Sequence, residues 1–226
     1  MAAKKPIVFF DFDNTITTID VLDDMLLRFS KDKAWMELEE KWKRGEIGSR
    51  ECLKGQIEGI RLTKSLLDKY LKTIRIDAYF IKLIELLNDK KIKMMILSDN
   101  FDYILERILK NNSISGIDVY SNKLQIVKDR LLPTFPYSNE ECGNCAHCKK
   151  TTLLKHRGKD AAAFYVGDGL SDLCAAKYAD VVFAKDALRE HLEKEKIDHM
   201  SIQGLKDVYN YFRGDRDESK TKIGQL

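Results

Sequence analysis

The chain has 226 residues, enough to bury a full core and to divide into one large and one small domain. Its 39 basic and 36 acidic residues leave a net charge of +3, too balanced to point to a nucleic-acid partner. No apolar run approaches the eighteen or so residues of a membrane span, and no cleavable apolar leader precedes the first predicted strand. Five cysteines, three of them crowded together, fit a reducing cytoplasm better than a secreted disulfide framework.

Ile7 to Phe10 is an apolar run of β-branched and aromatic residues and predicts a short buried strand. It stops at Asp11 and Asp13, with Asn14 and Thr15 following. Strand alternation points the two acids to one side, at the carboxyl end of a buried strand, where open α/β sheets bind ligands. Two like charges that close call for a hard divalent cation such as Mg²⁺. An ordinary strand-to-turn exit uses the same residue types, so the pair alone does not decide between the two.

From Asp20 to about Lys90 the pattern is helical. Val21, Leu22, Met25, Leu26 and Phe29 fall on one face; Gly45, Gly48 and Ser49 interrupt the middle; and the run from Leu62 to Leu71 repeats the spacing. This predicts a helical bundle inserted between the first and second strands. Its tryptophans, Trp35 and Trp42, read as core or lid packing. Tyr79 to Asn88 makes another amphipathic helix.

Ile92 to Leu97 is a second predicted strand, ending at Ser98-Asp99-Asn100, with a helix from Phe101 to about Leu109. The first turn of that helix would aim free N–H groups at a phosphate near Ser98; alternatively Ser98 or Asp99 caps it. Val119 to Tyr137 predicts a hairpin or an irregular excursion. In Cys142-Gly143-Asn144-Cys145-Ala146-His147-Cys148 the thiols repeat every third residue, and His147 and His156 stand near. A zinc site, an oxidisable cluster and a thiol-rich turn all remain open, since a closed site wants four ligands.

Ala161 to Val166 predicts a third buried strand, ending in Gly167-Asp168-Gly169-Leu170-Ser171-Asp172, whose glycines allow close backbone approach. Val181 to Ala184 reads as a last short strand, Ala187 to Glu195 and Leu205 to Phe212 as helices, and the tail after Gly214 as flexible.

Each piece is weak, but their ordered conjunction resembles the haloacid dehalogenase superfamily of phosphohydrolases over most of residues 6–212. The four motifs match Asp11 to Thr15, Ser98, Lys149 (or Lys150), and Gly167 to Asp172. The resemblance implies an α/β fold: a Rossmann-like parallel-sheet core over 1–17 and 89–214, a helical cap over 18–88 like that of phosphoserine phosphatases, and a flexible tail over 215–226.

It also implies roles. Asp11 would be the nucleophile and Asp13 the acid and base. Asp11, the Asp13 carbonyl and Asp168 would hold Mg²⁺, and Asp172 the water around it. Ser98 and Lys149 would bind the phosphoryl group, and Thr15 would position the loop.

The implied substrate is a small phosphorylated metabolite, and the implied state a monomer or homodimer. The run from Gly167 to Lys185 and the cysteines resemble the methionine-salvage subgroup acting on 2-hydroxy-3-keto-5-methylthiopentenyl-1-phosphate. Ser98-Asp99-Asn100 is closer to phosphocholine and phosphoethanolamine phosphatases. Asp20 matches the acid that contacts the substrate ammonium in phosphoserine phosphatases, or caps the first inserted helix. A non-catalytic protein that binds a phosphorylated ligand is the reading from another class.

Overall fold

The computed structural model describes residues 5–143, 145–215 and 221–222. Eight strands form one sheet in the order β4-β3-β2-β1-β5-β6-β7-β8. In chain order they are β1 (Lys5–Phe10), β2 (Lys93–Phe101), β3 (Asp118–Val127), β4 (Arg130–Thr134), β5 (Ala161–Gly167), β6 (Val181–Ala184), β7 (His199–Ser201) and β8 (Thr221–Lys222). The pairs from β3 through β7 are parallel, and β4 and β8 are antiparallel edges.

The apolar runs form central strands because both faces of the sheet are covered. Val8 and Phe10 of β1 pack into one core with Ile96, Val166 and Phe183. Ile7 and Phe9 pack on the opposite face with Leu97, Tyr165 and Val182. The second core is closed by helices α7 (Lys149–His156), α8 (Leu173–Ala176) and α9 (Asp186–Glu195), which supply Leu153, Ala175, Leu188 and Leu192. The first is closed in part by α6 (Asp102–Asn111) and α10 (Leu205–Arg213).

Between β1 and β2 lie α1 (Val21–Phe29), α2 (Ala34–Lys43), α3 (Ser49–Glu58), α4 (Lys64–Leu71) and α5 (Ala78–Asp89). The chain leaves and re-enters the sheet layer through a narrow neck. There Thr17 bridges Ile76, Thr18 N–H donates to Arg75 O, and Asp77 N–H donates to Ile16 O. Beyond the neck, α5 packs on α10 and β2, and the Tyr79 and Tyr209 rings stand 5.6 Å apart. The helix expected to close an insertion over 18–88 therefore lies with the sheet. The preceding part of the insertion also meets the sheet at its β4 edge, where Arg61 bridges Arg130 and Leu62 N–H donates to Asp129 O.

Three further expectations change. β2 runs on past Leu97 to Phe101, because β3 continues to pair with it across Ser98–Ser121 and Phe101–Asn122. Asn122 Nδ2 also donates to the Asp99 carbonyl at 2.6 Å. Neither Ser98 nor Asp99 caps α6; Phe101 occupies that position without a side-chain bond. The strand expected to be last, Val181–Ala184, is followed by two more, and Thr221–Lys222 of the tail expected to be flexible pair with β7. Residues 216–220 and 223–226 of that tail lie outside the described residues.

The sheet sets where chemistry can occur. From β1 the chain builds outward through β2 and β3 on one side, then returns to build β5, β6 and β7 on the other. The loops after β1 and β5 thus diverge at a topological switch point, which opens a crevice at the carboxyl ends of both strands.

Candidate active site

A cavity of about 160 Å³ occupies that crevice. Asp11, Asp13, Asp20, Asp99, Asn100, Lys149 and Asp168 line it, together with Asp23, Glu39, Trp42, Cys52, Leu53 and Gln56 from α1, α2 and α3. The loops after β1, β2 and β5 and the start of α7 converge with the inserted helices at one point. Ser98, Thr15 and Asp172 stand behind the wall, each no more than 5% exposed.

Asp11 follows directly on β1 and is fixed by its own N–H, which donates to Val166 O at 2.9 Å. The chain then coils tightly: Thr15, Ile16 and Thr17 N–H groups all point to Phe12 O, and Asn14 takes φ of 52°. That left-handed residue is tolerated because Asn is among the side chains that visit the region. It swings Asn14 Nδ2 to within 2.8 Å of Asp168 Oδ2, while Thr15 Oγ1 donates to Asp168 Oδ1 at 3.0 Å. The first loop thereby positions the acid of the third strand. Thr15 is a positioning residue in this geometry, and Asn14 is one that the motif reading did not single out.

Lys149 is the hub. Its Nζ stands 2.5 Å from Asp11 Oδ1, 2.7 Å from Asp172 Oδ1 and 3.2 Å from Ser171 Oγ. Burial opposes the ammonium charge, but Asp11 and Asp172 outweigh it and hold the lysine well above its usual pKa. Lys150, the alternative, lies on the surface with its ammonium 5.0 Å from the Tyr178 ring centre. The two differ by one position on α7, and the 100° turn between helix neighbours sends them to different sides.

Asp172 is saturated. Oδ1 accepts from Lys149 and from Tyr165 Oη at 2.6 Å, and Oδ2 accepts from the backbone N–H groups of Asp168 and Gly169, each at 3.0 Å. A Cβ at Gly167 would stand 2.5 Å from Asp172 Oδ2, which explains that glycine; at Gly169 the nearest atom is 4.0 Å away. Tyr165 lies in the second core and could not be recognised from the strand pattern, because an inward tyrosine reads as packing.

Asp13 is held from both sides. Asn100 Nδ2 lies 3.0 Å from each of its carboxylate oxygens, and Val21 N–H, at the start of α1, donates to Oδ1 at 3.0 Å. Burial and then the charge of Asp20 raise the Asp13 pKa well above the usual carboxylate value. Asp11 is raised too, by burial and then by Asp172. At Asp168 burial and Asp172 act in the same direction.

Ser98 is fully buried, and its Oγ accepts from Asn100 N–H at 3.0 Å. Asp99 accepts from His147 N–H at 2.9 Å, and burial raises its pKa. Asp20 accepts from Asp23 N–H at 2.9 Å as the N-cap of α1 and also faces the cavity, so the two readings of this residue coexist. The surrounding protein, and then Asp23, push Asp20 up to about 7, although its side chain still reaches solvent.

His147, a candidate zinc ligand, has both ring nitrogens engaged: Nδ1 with Ser98 O at 3.0 Å and Nε2 with Thr152 Oγ1 at 2.8 Å. Burial pushes its pKa down to about 4, so it sits there neutral. His156 packs at a tilt against Tyr120, with ring centres 4.6 Å apart. The spacing that suggested both as ligands does not survive the fold, because each ring is turned into a separate contact.

The donor set suits a hard divalent cation. Carboxylate oxygens of Asp11, Asp168 and Asp172 lie within 4.8 Å of one another, and their mutual repulsion contributes to the raised pKa values above. With Asp172 saturated by four donors, Asp11 and Asp168 are the side chains placed to ligate directly. Such an ion would neutralise phosphoryl oxygens and let an anionic nucleophile approach.

A family model described as "Putative Phosphatase" matches residues 6–203. The chain is 27% identical over 210 residues to a 2-hydroxy-3-keto-5-methylthiopentenyl-1-phosphate phosphatase of Brevibacillus brevis, covering 91% of this chain and 94% of that one. A protein of the same name from Bacillus cereus is 27% identical over 205 residues, covering 89% and 93%. Among solved structures, phosphoserine phosphatase from T. onnurineus superposes with a TM-score of 0.70 at 18% identity, covering 94% of this chain and 96% of that one. A phosphoserine phosphatase carrying a phospho-aspartyl intermediate analogue gives 0.69 at 21% identity, covering 92% and 99%.

Proposed function

This chain belongs to the phosphatase family matched over residues 6–203, and on that premise we propose that it hydrolyses a small phosphate monoester through an aspartyl-phosphate on Asp11. The observation that carries the proposal is the Asp11–Lys149–Asp172 array, in which a buried lysine holds one oxygen of a carboxylate at a strand end. Asp11 attacks phosphorus, and the P–O bond to the alcohol breaks. Asp13, its pKa raised by burial and its carboxyl aligned by Asn100, gives its proton to the departing alkoxide; it then takes a proton from the water that cleaves the acyl phosphate. Lys149 binds phosphoryl oxygen as a point charge. Asp11 and Asp168, with the Asp13 carbonyl, would hold Mg²⁺, and Asp172 fixes the loop that presents Asp168.

The salvage-pathway ketone in the names of the curated relatives is the substrate we assign first. Leu22, Leu53, Cys52 and Trp42 on the cavity wall supply an apolar surface for a thioether end. A second reading has its own observation. Lys149 is the one basic side chain among the described residues that line the cavity, against seven carboxylates including Asp20, Asp23, Glu39 and Asp99. With Trp42 beside them, these would suit a cationic head such as choline or ethanolamine.

Hydrolysis of p-nitrophenyl phosphate with Mg²⁺, abolished by EDTA and restored by Mg²⁺, is the expected result. Binding of phosphate without turnover would replace the enzyme with a ligand-binding regulator. A kcat/KM ranking of the salvage ketone phosphate against phosphocholine, phosphoethanolamine and phosphoserine decides the substrate.

A further inference from the structure

Outside the phosphatase chemistry, the sequence leaves one cluster unexplained. The Sγ atoms of Cys142, Cys145 and Cys148 all lie within 4.8 Å of one another, and none is in a disulfide. They come from different turns of a loop that has little apolar packing of its own: Cys142 precedes Gly143 at φ +77°, Cys145 bridges back to Asn139, and Cys148 caps α7. Three convergent thiols at the start of a helix are more than a turn requires.

We propose that Cys142, Cys145 and Cys148 hold a single thiophilic ion, Zn²⁺, at a site separate from the carboxylate site for the hard cation. Zinc–sulfur bonds of about 2.3 Å place tetrahedral thiolates about 3.8 Å apart, within the 4.8 Å that bounds the separations in the cluster. The repeat of one cysteine every third residue also occurs in iron–sulfur proteins, but a multi-iron cluster spreads its ligands wider than a mononuclear ion does. Soft thiolates select zinc over magnesium.

Cys174 lies outside the three-thiol cluster but lines the same 210 Å³ cavity as Cys145 and Cys148, which makes it the candidate for the fourth position. His147 is not, since both of its ring nitrogens are occupied.

Binding replaces thiol protons with the metal and releases them to solvent. Cys148 Sγ also stands 3.0 Å from Thr151 Oγ1, a hydroxyl that can donate to a bound thiolate.

The site has a structural use. Within the same loop, Ala146 N–H donates to Ser49 Oγ of α3 and His147 N–H to Asp99, and Lys149 follows at once. An ion there pins the segment that ties the inserted helices to the lysine.

The test is a Co²⁺ titration of the full-length reduced protein. One equivalent is expected to give thiolate-to-cobalt charge-transfer absorption and the strong ligand-field bands of a tetrahedral site. Zn²⁺ should bleach them stoichiometrically, and excess Mg²⁺ should not. Cys145→Ser and Cys148→Ser should each lose the bands, Cys174→Ser should bind at least about tenfold more weakly, and Cys52→Ser in α3 should be unchanged. Native mass spectrometry of the unmutated chain, expected to show one zinc, keeps the test valid if a serine variant misfolds. Absence of charge-transfer absorption, bands that survive Cys145→Ser, or iron with acid-labile sulfide in the purified protein would each overturn the proposal. None of these readouts depends on phosphatase activity.

Discussion

Asn100 Nδ2 stands 3.0 Å from both carboxylate oxygens of Asp13. A single amide donor thus bisects the carboxylate from the β2 side, while Val21 N–H holds Oδ1 from the insertion side. The geometry locks the acid between the sheet and the first inserted helix, so its orientation is set by two elements that meet only when the chain is folded.

Asp13→Asn removes the titratable proton and leaves a single oxygen to accept from Val21 N–H and Asn100 Nδ2. Its effect should grow with the basicity of the leaving group, because help from a general acid matters most for a poor one. The loss in kcat is expected to be about 10²- to 10⁴-fold on an alkyl phosphate and clearly smaller on p-nitrophenyl phosphate. Equal losses on the two substrates would assign Asp13 to metal binding or folding instead.

Asp11→Asn is nearly isosteric and removes the proposed nucleophile. Turnover should drop at least about a thousandfold, roughly 4 kcal/mol of barrier, with the circular dichroism spectrum unchanged. Residual activity above about a tenth, roughly 1.4 kcal/mol, would exclude the aspartyl-phosphate route.

Lys149→Met takes the cation away from two buried carboxylates. Leaving a buried charge pair half-made costs about 3–5 kcal/mol. In a chain of this size each kcal/mol moves Tm by roughly 2–4 °C. Denaturant unfolding in EDTA should show that loss, and Mg²⁺ should recover part of it by binding the folded state. A variant as stable as the parent in EDTA would mean that the Lys149 ion pairs contribute nothing net to folding.

Asp20, pushed up to about 7, predicts a pH signature. Its folded pKa is raised, so the carboxyl is neutral below about 7 and anionic above it. Attraction for a cationic head therefore strengthens as pH rises through that value. The ratio of kcat/KM for phosphocholine to that for an uncharged alkyl phosphate with a comparably basic leaving group largely cancels the ionisations of Asp13 and of the phosphate ester, because both substrates draw on Asp13 alike. It should climb between about pH 6 and 8 and become flat in Asp20→Asn. A flat ratio in the unmutated enzyme would confine Asp20 to capping α1 and favour the apolar substrate.

Much of this site was legible before folding because its signals are local. An apolar run that stops at Asp11 and Asp13, another that stops at Ser98-Asp99-Asn100, and a third that stops at Gly167-Asp168-Gly169 each reveal a buried strand with polar residues at its carboxyl end. The parallel sheet follows from those runs, since a strand covered on both faces has no polar alternation. The helical character of residues 20–90 was equally plain from its 3.6-residue period.

Only the tertiary structure decided which side chains meet. Lys149 and Lys150 are equivalent in sequence, and the helix turn buries one and leaves the other on the surface. Tyr165 reads as packing until its hydroxyl is found on Asp172, and His147 as a ligand until both nitrogens are found taken. Asp23, Glu39 and Trp42 gave no sign of facing a cavity, because the face that a helix turns to a partner depends on where the neck at Thr17 and Ile76 places it. Periodicity reports what a segment does with its own backbone. The direction of a side chain toward a residue 138 positions away, as between Asp11 and Lys149, is set by packing of the whole sheet.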